Sequence, residues 1–240
     1  DVIDESKQRR GRPTANEKWK NKTSVLVGDF LFSRAFQLMT KYGNLKILKI
    51  LSDTSVTISE GEVLELCNDR DPTINEDVYF KVINGKTASL FSAACQVGGI
   101  SANGSEKEIE SLKSFGTNFG MTFQLLDDAI DYTSTNSSLG KNIGDDFKEG
   151  KITLPIILAY SRSNTEEKKF WKKTIIELNQ NKNDFQKAIT IMKKYNCIYD
   201  SIERAKHFAN VAIDSLGIFK ENEYKESLRN LIKASLQRLN

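Results

Sequence analysis

The sequence predicts an all-α fold, and three observations carry that prediction. Apolar residues recur at intervals of three and four along nearly the whole chain. There are only three prolines in 240 residues, and no stretch alternates apolar with polar residues as a half-buried strand would. The apolar share of 39% is enough for a sizeable core, so a single domain over residues 1–240 is expected.

Residues 1–6 read as the end of a helix, followed by Arg9-Arg10-Gly11-Arg12-Pro13, a basic loop closed by two helix breakers. Two long, core-forming helices are predicted, from Thr23 to about Lys41 and from Asn44 to about Leu66. Asp71-Pro72-Thr73 interrupts the chain. Asn75 or Thr73 then caps a helix running through Tyr79, Lys86 and Val97 to Gly98-Gly99. Ser105-Glu106-Lys107-Glu108 has the form of a capping box and opens a helix that ends near Tyr132. Residues 133–152, rich in Ser, Asn, Gly and charge, read as one long loop, and long loops in compact domains are usually functional or disordered. Helices resume at Leu154, with breaks near residues 161–165, 179–183 and 217–221.

Composition excludes several function classes. The 35 basic and 32 acidic residues leave a formal charge of +3, which gives no reason to expect nucleic acid or a strongly anionic membrane as partner. Cys67, Cys95 and Cys197 are odd in number and widely spaced. They read as buried, reduced thiols of a cytoplasmic protein rather than a disulfide frame or zinc site. No segment reaches the ~18 uninterrupted apolar residues of a membrane span, so membrane contact is at most peripheral. The chain opens within an acidic cluster and without Met, so further residues are expected before Asp1.

Two acidic clusters carry the functional signal: Asp1-Val2-Ile3-Asp4, and Asp127-Asp128-Ala129-Ile130-Asp131 within an apolar stretch. On a helix, with Asp127 as zero, Asp128 falls near ~100° and Asp131 near ~40°, so the three carboxylates share a face. Like charges at that spacing repel by roughly 0.2–0.5 kcal/mol per pair even on an open helix. Cations are therefore expected nearby. Arg9 and Arg10 follow the first cluster, Lys141 and Lys151 follow the second, and Lys86-Thr87 lies on a third helix. Arginine gives planar, bidentate phosphate contacts and lysine a mobile point charge. Separate aspartate clusters suit a hard divalent cation, Mg²⁺ above all, held by one or two carboxylates with waters and substrate phosphates. Gln124, Gly120 and Gly116 continue the carboxylate stripe, which fits either close helix packing or a groove beneath a metal site. Leu90, Ala93, Ala94 and Val97 below Lys86 are candidates for a facing wall. The site these residues outline is an apolar tunnel capped by diphosphate and metal.

The stretches DVIDE with RRGRPTAN, SVLVGDFLFSRAFQ, EGEVLEL, KTASLF, GMTFQLLDDAIDY and GKNIGDDFKEGKITLPII occur in this order from residue 1 to about 160. In these motifs the chain resembles the trans-type polyprenyl diphosphate synthases, especially the octaprenyl and related long-chain enzymes. The residues beyond match only as a helical tail. The resemblance implies an isoprenoid-synthase-type helical bundle around a deep central cavity, here without its N-terminal helices. It implies two aspartate motifs facing each other across the mouth and three Mg²⁺ ions held through an allylic diphosphate. By the same resemblance Asp1, Asp4, Asp127, Asp128 and Asp131 are metal ligands, the first acid of the first motif lying before residue 1. Arg9 corresponds to an allylic-diphosphate contact, Arg10 to an isopentenyl-diphosphate contact, and Lys86, Thr87, Gln124, Lys141 and Lys151 to residues that hold the allylic diphosphate. Asp4, Asp127, Asp128, Lys86 and Lys141 are the expected catalytic set.

The implied activity is successive head-to-tail condensation of an allylic diphosphate with isopentenyl diphosphate, giving an all-trans product of about C40 for a quinone side chain. A cytoplasmic homodimer, with at most peripheral membrane contact for product release, is implied as well. The alternatives are a shorter-chain farnesyl or geranylgeranyl synthase, a squalene-type synthase or terpene cyclase, and a non-catalytic subunit of a heteromeric synthase. Phe30, Phe32, Phe36 and Met39 read more simply as core than as the floor of a tunnel.

Overall fold

The computed structural model describes residues 2, 7–9, 12–133 and 144–238, with the side chains of residues 8 and 9 outside that description. The fold divides into two compact units, residues 1–52 with 135–143, and residues 53–134 with 144–240. The expected helix end over residues 1–6 lies largely outside the described residues.

In the first unit, β1 (Gln8–Arg9) and β2 (Arg12–Pro13) pair antiparallel, Gln8 opposite Pro13 and Arg9 opposite Arg12. The sequence gives no sign of this ladder, because two residues per strand are too few to show alternation. Helix α1 (Ala15–Tyr42) begins well before Thr23 and bends at Lys20, whose φ is 70°. It was expected to form core, yet none of its residues is buried, and Phe30 is 66% exposed. Phe32 and Phe36 meet edge to face at 5.1 Å on this exposed surface. Helical periodicity locates an apolar stripe but does not say what covers it. Helix α2 (Leu45–Cys67) opens on Asn44, whose Oδ1 accepts the Ile47 N–H at 2.9 Å, and it continues into the second unit.

In the second unit Asn75 caps α3 (Glu76–Ile83), its side chain accepting the Val78 N–H at 3.0 Å. A π-turn over residues 84–88 follows and leads into α4 (Ser89–Ser101). Gly98 and Gly99 do not end this helix as expected. Glycine costs about 1 kcal/mol in a helix interior, but Gly99 is buried, and a Cβ there would stand 3.0 Å from Leu112 Cδ1, so close packing favours it. The capping box forms as predicted: Ser105 N–H donates to Glu108 at 2.8 Å, and Ser105 Oγ accepts the Glu108 N–H at 3.3 Å.

That box opens α5 (Glu106–Ile130), the central helix, which is buried around most of its circumference. Gly116 and Gly120 lie on its face toward α4. A Cβ at Gly116 would fall 2.5 Å from the Phe91 carbonyl oxygen, and one at Gly120 2.5 Å from Ala88 Cα. The glycine stripe therefore serves close helix packing, not a groove. On the opposite face Ser114 Oγ bonds Ser215 Oγ at 2.7 Å, and Thr122 Oγ1 donates to the Ala205 carbonyl at 3.4 Å, both on α10 (Cys197–Ser215). Of the proposed facing wall, Ala93 is buried while Leu90 and Ala94 are exposed.

The stretch expected as a loop after α5 contains a short helix, α6 (Asp145–Glu149). It is bounded by Gly144 at φ 77° and Gly150 at φ 71°, a backbone region that side chains other than glycine's enter at a cost. Buried Phe147 anchors it, and its carbonyl accepts from Gln180 Nε2 at 2.8 Å. The chain then forms α7 (Leu154–Arg162), α8 (Thr165–Trp171), α9 (Asp184–Lys194), α10 and α11 (Glu223–Gln237). The break between α9 and α10 was not predicted. It falls at Asn196, which adopts φ 56°. Leu125, Leu126, Leu154, Trp171 and Met192 are fully buried and form the centre of the core. Cys197 is buried as expected, but Cys67 is exposed. Among the described residues no helix is long and apolar enough to cross a membrane.

Candidate active site

The second acidic cluster sits at the C-terminal end of α5, where the helix carries each of its carboxylates to a different partner. Asp128 is 2% exposed. Tyr79 Oη donates to one of its oxygens at 2.6 Å, and Gln124 Nε2 to the other at 2.7 Å. Thr87 Oγ1 in turn donates to Gln124 Oε1 at 3.0 Å. One chain of hydrogen bonds thus joins α3, the π-turn and α5, and it includes two residues expected in the site, Thr87 and Gln124. Burial pushes the Asp128 carboxyl up to about 6, against the pull of Lys151 and of its two hydrogen bonds, while Asp146 adds to the rise. Burial, followed by the charge of Asp128, raises the Tyr79 phenol.

Lys151 stands where the left-handed Gly150 ends α6, its Nζ 3.6 Å from Asp146 Oδ1. Burial alone would lower this ammonium, but Asp146, Asp128, Glu65 and Asp127 outweigh it and raise it. The expected cation beside the second cluster is therefore present. A second one was not expected: Arg238 Nη2 donates to Asp127 at 2.9 Å, with its guanidinium 5.3 Å from the centre of the Phe123 ring. Asp131 is buried, accepts the Asp146 N–H at 3.1 Å, and offers its carbonyl to the Gly144 N–H at 3.2 Å. It ties α6 to the end of α5.

Lys86 does not point to these aspartates. Its ammonium lies between two carboxylates of α2, 2.5 Å from Glu65 and 3.1 Å from Glu62. Burial would lower it, and Glu65 with Glu62 more than reverses that. Successive side chains of the π-turn point in well-separated directions, so Lys86 and Thr87 serve different neighbours. Asp1, Asp4, Arg10 and Lys141 lie outside the described residues, as does the side chain of Arg9.

Among the described residues no three Asp, Glu, His or Cys side chains converge as a ready-made metal cage. The donors still fit a hard divalent cation. Asp127 and Asp128 offer carboxylate oxygens of the kind Mg²⁺ takes in ones and twos alongside phosphate, and a buried carboxyl raised to about 6 is one that a cation would ionise. Sequence reasoning missed Tyr79, Glu62, Glu65, Asp146 and Arg238. Glu62 and Glu65 share one face of α2 at a spacing of three and lie in the EGEVLEL stretch, and Asp146 lies in the GKNIGDDFKEGKITLPII stretch, but nothing in the sequence gave any of them a partner.

A family model described as polyprenyl synthetase matches residues 1–192. The octaprenyl diphosphate synthase of Haemophilus influenzae is 41% identical over 238 residues, which cover 99% of this chain and 72% of the relative. Among solved structures, a decaprenyl diphosphate synthase from Rhodobacter capsulatus superposes with TM-score 0.94 at 41% identity, covering 100% of this chain and 74% of that one. A polyprenyl synthase from Caulobacter crescentus, complexed with calcium and isoprenyl diphosphate, superposes with TM-score 0.93 at 40% identity, over 100% and 72%. With most of its length matched by the model and by such relatives, the chain belongs to the polyprenyl synthetase family.

Proposed function

We propose that the protein condenses an allylic diphosphate with isopentenyl diphosphate in repeated head-to-tail steps, giving a long-chain all-trans polyprenyl diphosphate of about C40. The observation that carries this is the buried Asp128 with its chain of partners, Tyr79, Gln124 and Thr87, and with Lys151 beside it. Family membership, with octaprenyl and decaprenyl synthases among the relatives, supports a long product. Asp127, Asp128 and Asp131 with Asp1 and Asp4 hold divalent metal, three Mg²⁺ ions in our reading. The calcium and isoprenyl diphosphate in a related structure support a metal-bound diphosphate.

Metal held by these aspartates would supply charge neutralisation for the departing diphosphate. Lys86, Thr87, Gln124, Lys141, Lys151 and Arg9 hold the allylic diphosphate, and Arg10 holds isopentenyl diphosphate. Their fixed donors stabilise the negative charge that develops as the allylic C–O bond breaks. The double bond of isopentenyl diphosphate then attacks the allylic cation, and the released diphosphate accepts the proton lost from the new product. No protein nucleophile is needed. The two compact units act as one synthase domain, in a cytoplasmic homodimer that meets membrane only peripherally when product leaves.

Incubation with farnesyl diphosphate and labelled isopentenyl diphosphate in Mg²⁺, followed by dephosphorylation and chromatography, tests the reading. A C40 product is expected. A product of fifteen or twenty carbons refutes the long-chain assignment, and absence of any elongation refutes synthase activity.

A further inference from the structure

The stretch EGEVLEL on α2 has no role in the reaction as described so far, yet two of its three glutamates hold one of the substrate-binding lysines. Glu65 and Glu62 stand 2.5 and 3.1 Å from Lys86 Nζ. The backbones are built to meet there. Gly61 and Gly85 touch across the crossing of α2 and the π-turn, so that a Cβ on Gly61 would fall 2.6 Å from the Lys86 backbone nitrogen and one on Gly85 3.0 Å from the Thr57 carbonyl oxygen. The helix residues next to these glycines, Glu62 and Lys86, are thereby brought face to face.

An ammonium has three N–H donors on a flexible stem. Two are taken by the glutamates, which leaves one for a phosphate oxygen in a direction the glutamates fix. From this geometry we infer that Glu65, assisted by Glu62, is a positioning residue: it orients Lys86 for the allylic diphosphate, and thus acts on the rate of ionisation rather than on affinity. Holding the lysine in advance spares the reaction its ordering. The same carboxylates repel the incoming diphosphate, so they do not strengthen its binding. This inference rests on the proposed synthase reading of the site.

The test is a double-mutant cycle with Glu65→Gln, Lys86→Ala and the double variant, measuring kcat and KM for farnesyl diphosphate at saturating isopentenyl diphosphate. Glu65→Gln is expected to lower kcat on the order of 10–100-fold, in keeping with the cost of a misplaced catalytic contact, with KM unchanged or lower. In the Lys86→Ala background it should change kcat less than about 2-fold, because its direct contact is with Lys86 and its charge reaches Lys151 only at longer range. An equal loss in both backgrounds, a rise in KM without loss of kcat, or no effect at all would overturn the inference. Glu62→Gln, at a half-exposed position, should act in the same direction and guards against a Glu65 variant that fails to fold. Wild-type elongation in the same assay separates the two levels: if it is absent, the synthase reading itself fails.

Discussion

Asp128→Asn offers a test in which stability and activity should move in opposite directions. The carboxyl rises from an ordinary value of 3.8 to about 6 in the folded, metal-free chain. A shift of about 2 units corresponds to roughly 3 kcal/mol at 1.36 kcal/mol per unit. Because the folded state holds the proton more tightly, between the two values it binds more protons than the unfolded state, and stability falls as pH rises through that window. The stabilisation is complete below 3.8 and lost above about 6. Asparagine resembles the protonated acid in shape and never ionises. In chelator, urea denaturation should find the variant more stable than the parent by up to ~3 kcal/mol at pH 8, with about 2 kcal/mol of that appearing between pH 4.5 and pH 8. Elongation should fall steeply, since a group destabilised for function is what such sites commonly hold. A stability difference that is the same at every pH would refute the reasoning, because it would mean that burial does not penalise the charge.

Other substitutions test the packing that places the site. Gly120→Ala puts a methyl 2.5 Å from Ala88 Cα and should cost about 1–3 kcal/mol in denaturant titration, with elongation weakened as Thr87 and Gln124 are pushed apart. Leu126→Ala, at a fully buried position, should cost about 2–5 kcal/mol by the same measurement. Ser105→Ala breaks the capping box of α5 and should cost about 1 kcal/mol, visible as a lower melting temperature with product length unchanged.

What the sequence reveals here follows from how local each determinant is. The capping box at Ser105, a cap at Asn75 or Thr73 and the limits of α5 rest on contacts a few residues apart, and each was legible, the structure choosing Asn75. So was the need for positive charge near Asp127 and Asp128, since like charges on an apolar helix must be met by something. The partners themselves were partly hidden because they come from distant segments. Arg238 reaches Asp127 across 111 residues, and Tyr79 reaches Asp128 across 49, with no periodicity to announce either. The glycines show the same limit from the other side. Gly116, Gly120, Gly61 and Gly85 could be noticed in the chain, but only the approach of a second backbone tells packing from a groove. That approach also divides the labour of Lys86 and Thr87. Neighbours in sequence, they are separated by helical geometry, so that one answers to the glutamates of α2 and the other to Gln124 on α5. A motif can thus name the residues of a site without telling which of them touch, and in this protein the contacts suggest how the site is held ready.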